Sequence, residues 1–191
     1  TLAAMANVRV IRRWERPPGQ NGAAVVNSGT KPAVTPQILA IGASAGGPSA
    51  LSTLLGGLPA GLPLPVVIVQ HMPDEFIAGL ARWLKKVSPL PVETALHNQF
   101  LRPGRVYLSP GNAHLAVVRQ GQILAAKLLD DAGGYRYQPA VDVLFESVAA
   151  CCGAAAVGMI LTGMGDDGAA GLLAMRRAGA RTFAQDKASC T

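Results

Sequence analysis

The sequence predicts an α/β protein: a doubly wound, mostly parallel sheet with helices on both faces, Rossmann-like in layout, plus a small β-hairpin region. Three observations predict it. From residue 38 onward, short apolar runs alternate with segments of helical length and pattern. Half of the 191 residues are hydrophobic and few are aromatic, so the core is built from Ala, Val, Leu and Gly. The 22 glycines and 14 prolines provide for many tight turns.

Residues 1–37 read as a leader, and residues 38–191 as one substantial domain. Thr1 to Trp14 fits a short helix or a strand, and Arg16 to Gln37, rich in Pro, Gly, Asn, Ser and Thr, has the composition of a linker. Because the chain begins with Thr, further sequence is expected to precede it. Ile38–Ile41 is a predicted strand. Gly47-Pro48 then opens a helix running through Ser49–Leu55 to Gly56-Gly57, with proline at a first-turn position. Val66–Gln70 is β-branched, bounded by proline and apolar throughout, the pattern of a strand buried on both faces. Asp74–Lys86 reads as an amphipathic helix, with Phe76, Ile77, Leu80, Trp83 and Leu84 on one face, Asp74 and Glu75 first, Lys85 and Lys86 last. A more irregular stretch follows, with short strands at Arg105–Leu108, His114–Arg119 and Gln122–Lys127, the last two joined as a hairpin through Gln120-Gly121. Val141–Cys152 (helix), Ala156–Leu161 (strand), Ala169–Ala178 (helix, stopped by Gly179) and Arg181–Ala184 (strand) complete the alternation.

Composition excludes several function classes. No apolar run reaches the ~18 residues of a membrane span, since Leu58 to Val69 is broken by Pro59, Pro63 and Pro65. With no signal peptide visible, the expected location is cytoplasmic, without membrane insertion. The net charge of +6 suggests a nucleic-acid partner, but its placement argues against one. Arg9, Arg12, Arg13, Arg16 and Lys31 against Glu15 give residues 1–37 a charge of +4, while 12 basic and 10 acidic groups leave the rest at +2. Cys151, Cys152 and Cys190 lack metal-ligand spacing and read as free thiols, so no metal and no cofactor is expected.

The chemistry concentrates where strands end. Gly42-Ala43-Ser44-Ala45-Gly46 follows the first strand, the pattern of a nucleophile elbow, in which glycines permit a turn sharp enough to expose the serine. His71 follows the second strand, and Asp166 and Asp167 follow the strand that begins at Ala156. In an open α/β sheet these positions share one edge, where ligands bind. Serine needs a base, histidine titrates near neutrality, and a carboxylate fixes the imidazole tautomer, so the set suits acyl transfer. Each member also has a plainer reading. Ser44 could cap a helix, His71 could be a satisfied loop histidine, and Asp166 or Asp167 could cap the helix near Gly168. His97 and His114 are rival bases, His97 in a polar surface stretch and His114 at the start of a strand. A phosphate- or nucleotide-binding module, with Gly42–Gly47 cradling the anion, is the alternative from another class, although G-x-G-x-x-G is missing.

Beyond these residues, the chain resembles the catalytic domain of the chemotaxis protein-glutamate methylesterases (CheB) over nearly all of residues 38–190. The segments that carry the resemblance are Ile41 to Pro48, Val69-Gln70-His71-Met72-Pro73, Pro110-Gly111-Asn112-Ala113-His114, Val141 to Phe145, Gly158 to Gly168, and Met175 to Ala180 continuing through Ala184 to Cys190. The resemblance implies Ser44 as nucleophile, His71 as base and Asp167, rather than Asp166, as the carboxylate, and demotes His114. It implies hydrolysis of glutamyl methyl esters on chemoreceptor cytoplasmic helices, with deamidation of receptor glutamines as a second activity. Backbone N–H groups at Ala45, Gly46, Met164 and Gly165 are the expected oxyanion donors. It also implies a receiver domain, phosphorylated by a chemotaxis histidine kinase, ahead of the linker and missing from residues 1–37. The chain departs from the family pattern at Ala45, usually threonine, and at Gln138-Pro139-Ala140-Val141-Asp142, usually R-P-S-V-D. Family members continue past the Ala-Ser-Cys segment with a glycine-proline loop and a closing helix, so a chain ending at Thr191 is expected to be shortened.

Overall fold

A computed structural model describes residues 9–11, 34–131 and 133–190. Its elements in chain order are β1 (Arg9–Ile11), β2 (Ile38–Ala43), α1 (Gly47–Gly56), β3 (Val66–Gln70), α2 (Asp74–Val87), β4 (Val92–Thr94), β5 (Val106–Leu108), β6 (His114–Gln120), β7 (Ile123–Leu129), α3 (Val141–Cys152), β8 (Ala156–Ile160), α4 (Ala169–Arg177) and β9 (Arg181–Gln185). Seven strands form one sheet in the order β1-β9-β8-β2-β3-β5-β4, and every pairing in it is parallel. β6 and β7 form a separate antiparallel pair.

The central strands explain why the sheet carries helices on both faces. Alternate side chains of a strand point to opposite faces, and in β2 and β3 both sets are apolar. Ile38 and Ala40 of β2, with Val67 and Val69 of β3, join a core containing Leu144, Phe145 and Val148 of α3, Leu172 of α4, and Leu115 and Val117 of the hairpin. Leu39, Ile41, Val66 and Ile68 join the opposite core with Leu51 and Leu55 of α1 and Leu80 and Leu84 of α2. Each fully buried aliphatic side chain of this kind contributes about 1.5–3 kcal/mol.

The structure adjusts several boundaries. β2 runs two residues further than its apolar run, because Gly42 and Ala43 still pair with Val69 and Gln70. β4 is an added edge strand that the proline-flanked sequence around it conceals. The hairpin turn is Gly121-Gln122, one residue later than expected, since Gln120 pairs with Ile123 and Gly121 adopts φ 63°. A glycine in the first central position suits a two-residue hairpin turn. In α2 only Ile77, Leu80 and Leu84 of the expected apolar face are buried, and Phe76 and Trp83 stay largely exposed. Of the leader, Arg9–Ile11 is a strand on the β9 edge. The remainder of the predicted Thr1–Trp14 element and most of the linker, residues 12–33, lie outside the described residues. Among the described residues no helix is long and apolar enough to cross a membrane.

Candidate active site

Three neighbouring strands, β8, β2 and β3, end at the same edge, and the residues just beyond them meet. Ser44 follows β2 directly. Its amide donates to the Thr162 carbonyl at 3.0 Å, and its carbonyl accepts from Gly47 N–H at 2.8 Å, which turns the chain into α1. Gly46 takes the left-handed conformation (φ 74°) as the N-cap of α1, a conformation that costs glycine little. No side chain caps α1, so the serine hydroxyl is left for other work. Across the pocket, Gly163 lies against Ser44 so closely that a Cβ on Gly163 would stand 2.6 Å from the Ser44 Cβ.

His71 follows β3, anchored by its amide to the Ala43 carbonyl at 2.9 Å. Its Nδ1 lies 3.2 Å from Ser44 Oγ, and its Nε2 lies 2.7 Å from Asp167 Oδ2. Asp167 accepts in turn from two backbone N–H groups at the start of α3, Val141 on Oδ2 at 2.7 Å and Asp142 on Oδ1 at 2.9 Å. Burial alone would push the Asp167 carboxyl up. The hydrogen bonds from His71 and from these amides outweigh it and hold the group below its usual range. An ionised Asp167 fixes the neutral imidazole with its proton on Nε2, which leaves the Nδ1 lone pair facing the serine hydroxyl. A pocket of about 230 Å³ opens over the three, lined also by Thr162, Gly163, Met164 and Gly165.

The remaining expected residues are distributed as follows. Met164 and Gly165 line the pocket, and Gly46 lines a neighbouring groove of about 790 Å³ beside α1. Ala45 is exposed next to Ser44. Asp166 is exposed, and neither aspartate caps α4 as the plainer reading expects, because the N-cap is Gly168 without a side-chain bond. Asp142 takes that role, its Oδ1 accepting from Gly171 N–H of the α4 first turn. Burial raises the Asp142 pKa; the Gly171 amide opposes the rise, and the Asp167 charge adds to it. His97 is exposed and bonds to the Leu128 backbone. His114 is buried, its Nδ1 accepting from Ala140 N–H at 3.1 Å. Cys151 and Cys152 are half-buried at the end of α3, and Cys190 is exposed.

Three residues without an expected role also belong to the site's support. Asp142 joins α3 to α4. Tyr137 stacks on the His71 ring with centroids 4.8 Å apart and planes inclined by 22°, and the Arg136 guanidinium lies over the Tyr137 ring, 5.5 Å from its centroid. Gln70 bonds to the main chain of both Ser44 and His71. The V-D pair opening a helix was a visible signal for Asp142; the aromatic in a loop was not.

A parallel sheet that brings a serine, an imidazole and a carboxylate together along one edge has the arrangement that serine hydrolases use. More narrowly, the chain belongs to the CheB methylesterase family, whose model matches residues 39–191. It is 48% identical over 156 residues to a protein-glutamate methylesterase/protein-glutamine glutaminase of Albidiferax ferrireducens, covering 82% of this chain and 45% of that protein. A protein of the same name from Xanthomonas euvesicatoria is 44% identical over 191 residues, covering 98% and 53%. The chain thus spans about half the length of these curated relatives. The CheB methylesterase catalytic domain of Thermotoga maritima superimposes with a TM-score of 0.79 at 35% identity, over 83% of this chain and 84% of that one. These matches support the esterase reading and not the phosphate-binding alternative.

Proposed function

We propose that this chain hydrolyses glutamyl methyl esters on the cytoplasmic helices of methyl-accepting chemotaxis receptors, with Ser44 as nucleophile, His71 as base and Asp167 as the orienting carboxylate. The observation that carries the reading is the continuous relay from Ser44 Oγ through His71 to Asp167, at 3.2 and 2.7 Å. Family membership and the names of the relatives support the substrate.

His71 Nδ1 takes the hydroxyl proton as Oγ attacks the ester carbonyl, and Asp167 stabilises the imidazolium through Nε2. His71 then returns the proton to the departing methanol, leaving a glutamyl ester on Ser44. Water gives a proton to the same nitrogen as it attacks, and glutamate and free serine result. With a receptor glutamine the leaving group is ammonia and the remaining steps are unchanged, which supplies the glutaminase activity. Main-chain N–H groups of Ala45, Gly46, Met164 and Gly165 are the assigned oxyanion donors. The two on the pocket wall, Met164 and Gly165, are the better supported.

Residues 38–191 act as the catalytic domain in this reading, and residues 1–37 as the end of a linker from a receiver domain that a histidine kinase phosphorylates. The proposed location is the cytoplasm. Methanol release from methylated receptor, compared between this chain and Ser44→Ala, tests the assignment. Release should vanish in the variant while the protein stays folded, and near-normal release from Ser44→Ala overturns the reading.

A further inference from the structure

Gln70, the last residue of β3, is only 2% exposed, although glutamine side chains are mostly exposed. Its amide nitrogen donates to two main-chain carbonyls, those of Ser44 at 2.9 Å and of His71 at 3.0 Å. An amide nitrogen carries two hydrogens, so one group serves both acceptors fully. The opposite amide orientation would set an oxygen against two carbonyl oxygens, and the acceptors therefore fix the assignment.

The location gives this bridge its meaning. Ala43 and Gln70 are the last residues paired between β2 and β3. Beyond that pair one ladder bond remains, from the His71 amide to the Ala43 carbonyl, while the Ser44 amide faces the other neighbouring strand and bonds to Thr162. Among the described main-chain bonds, none joins Ser44 itself to His71 or to β3. The Gln70 side chain carries the connection past that point and ties the two residues together directly. Its Oε1 is buried without a hydrogen-bond partner and lies against Gly47, where a side chain would have no room. A buried unpaired acceptor is costly, and an apolar residue of similar size would avoid it. The donors are what Gln70 supplies here.

We propose that Gln70 is a positioning residue that sets the distance and angle between Ser44 Oγ and His71 Nδ1, an inference that rests on the esterase reading above. It touches neither substrate nor reacting atoms and acts through the two main-chain carbonyls it holds.

Gln70→Met keeps the length and removes both donors, and Gln70→Ala removes the side chain. The rate of Ser44 acylation by p-nitrophenyl acetate, which needs no receptor surface, is measured together with methanol release from methylated receptor. Both variants should melt cooperatively, lose roughly 10- to 100-fold in kcat on both substrates, and keep KM near that of the parent, since a misplacement of an ångström can cost ~100-fold. A folded Gln70→Met with the parent's kcat overturns the proposal and leaves Gln70 as packing. A loss confined to KM overturns it equally. Should neither variant fold, the parent protein decides by NMR: both Gln70 side-chain amide protons exchange slowly if the clamp exists, and fast exchange overturns it. If the parent releases no more p-nitrophenol than Ser44→Ala, the esterase reading fails by itself and the same exchange measurement judges the clamp.

Discussion

The backbone of Asp142 donates to the carboxylate of Asp167 at 2.9 Å, while burial and then the Asp167 charge push the Asp142 side-chain pKa up. Two acidic residues are thus held together by a main-chain amide at a helix N-terminus, where negative charge is favoured. That amide and its neighbour from Val141 aim Asp167 at His71.

Replacing Asp167 by Asn should reduce methanol release by ~10⁴-fold, because an amide no longer fixes the productive tautomer. Asp166→Asn should remain close to the parent, since Asp166 is exposed and its side chain has no place in the relay. Steady-state assays on both variants check the pair. A larger loss in Asp166→Asn would move the carboxylate assignment by one residue.

Gly163→Ala should slow turnover by up to ~100-fold and destabilise the fold by about 1–3 kcal/mol. Its new methyl group would lie 2.6 Å from the Ser44 Cβ, inside van der Waals contact, so Ser44 must move. Rates and chemical denaturation measured on one preparation separate the two effects.

Acid sensitivity should include a contribution from His114. Burial lowers its pKa from the ordinary 6.5, although Asp131 and Asp167 oppose the shift. A base with a lowered folded pKa gives stability that is present above about 6.5 and is lost as pH falls through the folded value. Asp167, also lowered, adds a second loss at more acidic pH. Thermal melts from neutral pH downward should show the first decline in the parent. His114→Gln, whose carbonyl can still accept from Ala140, should flatten it. An unchanged pH profile in that variant would remove His114 from the account.

Tyr137→Ala should lower kcat by about 2- to 10-fold, the worth of one aromatic stack at 0.5–1.5 kcal/mol, because the ring that covers the His71 imidazole is lost. Tyr137→Phe keeps the stack and should stay near the parent. Equal losses in both variants would instead assign the effect to the phenol hydroxyl.

How legible this molecule was depended on the physical nature of each signal. The runs Ile38–Ile41 and Val66–Gln70 were readable because a strand covered on both faces has no polar side to disguise it. Helix α3 was predicted to the residue, Val141–Cys152, since Pro139 shortly precedes it and Gly153 ends it. β4 escaped notice because three residues between prolines and polar neighbours carry too little periodicity, and only the edge of an existing sheet orders them. Ser44, His71 and the Asp166-Asp167 pair were visible as strand-end residues, yet choosing between the aspartates needed family resemblance. The hydrogen bond that distinguishes them spans 96 positions of sequence. Gln70 and Tyr137 were silent for a similar reason, as their partners are main-chain carbonyls and a ring face that local sequence does not specify.

Helix α3 gives the β6–β7 hairpin an influence on chemistry in which it has no direct share. At one end the rod presents the Val141 and Asp142 amides to Asp167. Along its length Ser147 Oγ accepts from Val117 N–H at 2.9 Å, and near its far end the Cys151 carbonyl accepts from Arg119. Phe145 and Val148 pack in one core with Leu115 and Val117. Loosening the hairpin should therefore let the rod tilt and shift the two amides that hold the Asp167 carboxylate. A mutational tolerance map of this chain would follow anchorage to α3 more closely than distance from Ser44, with apolar hairpin positions scoring as activity sites although none of them lines the pocket.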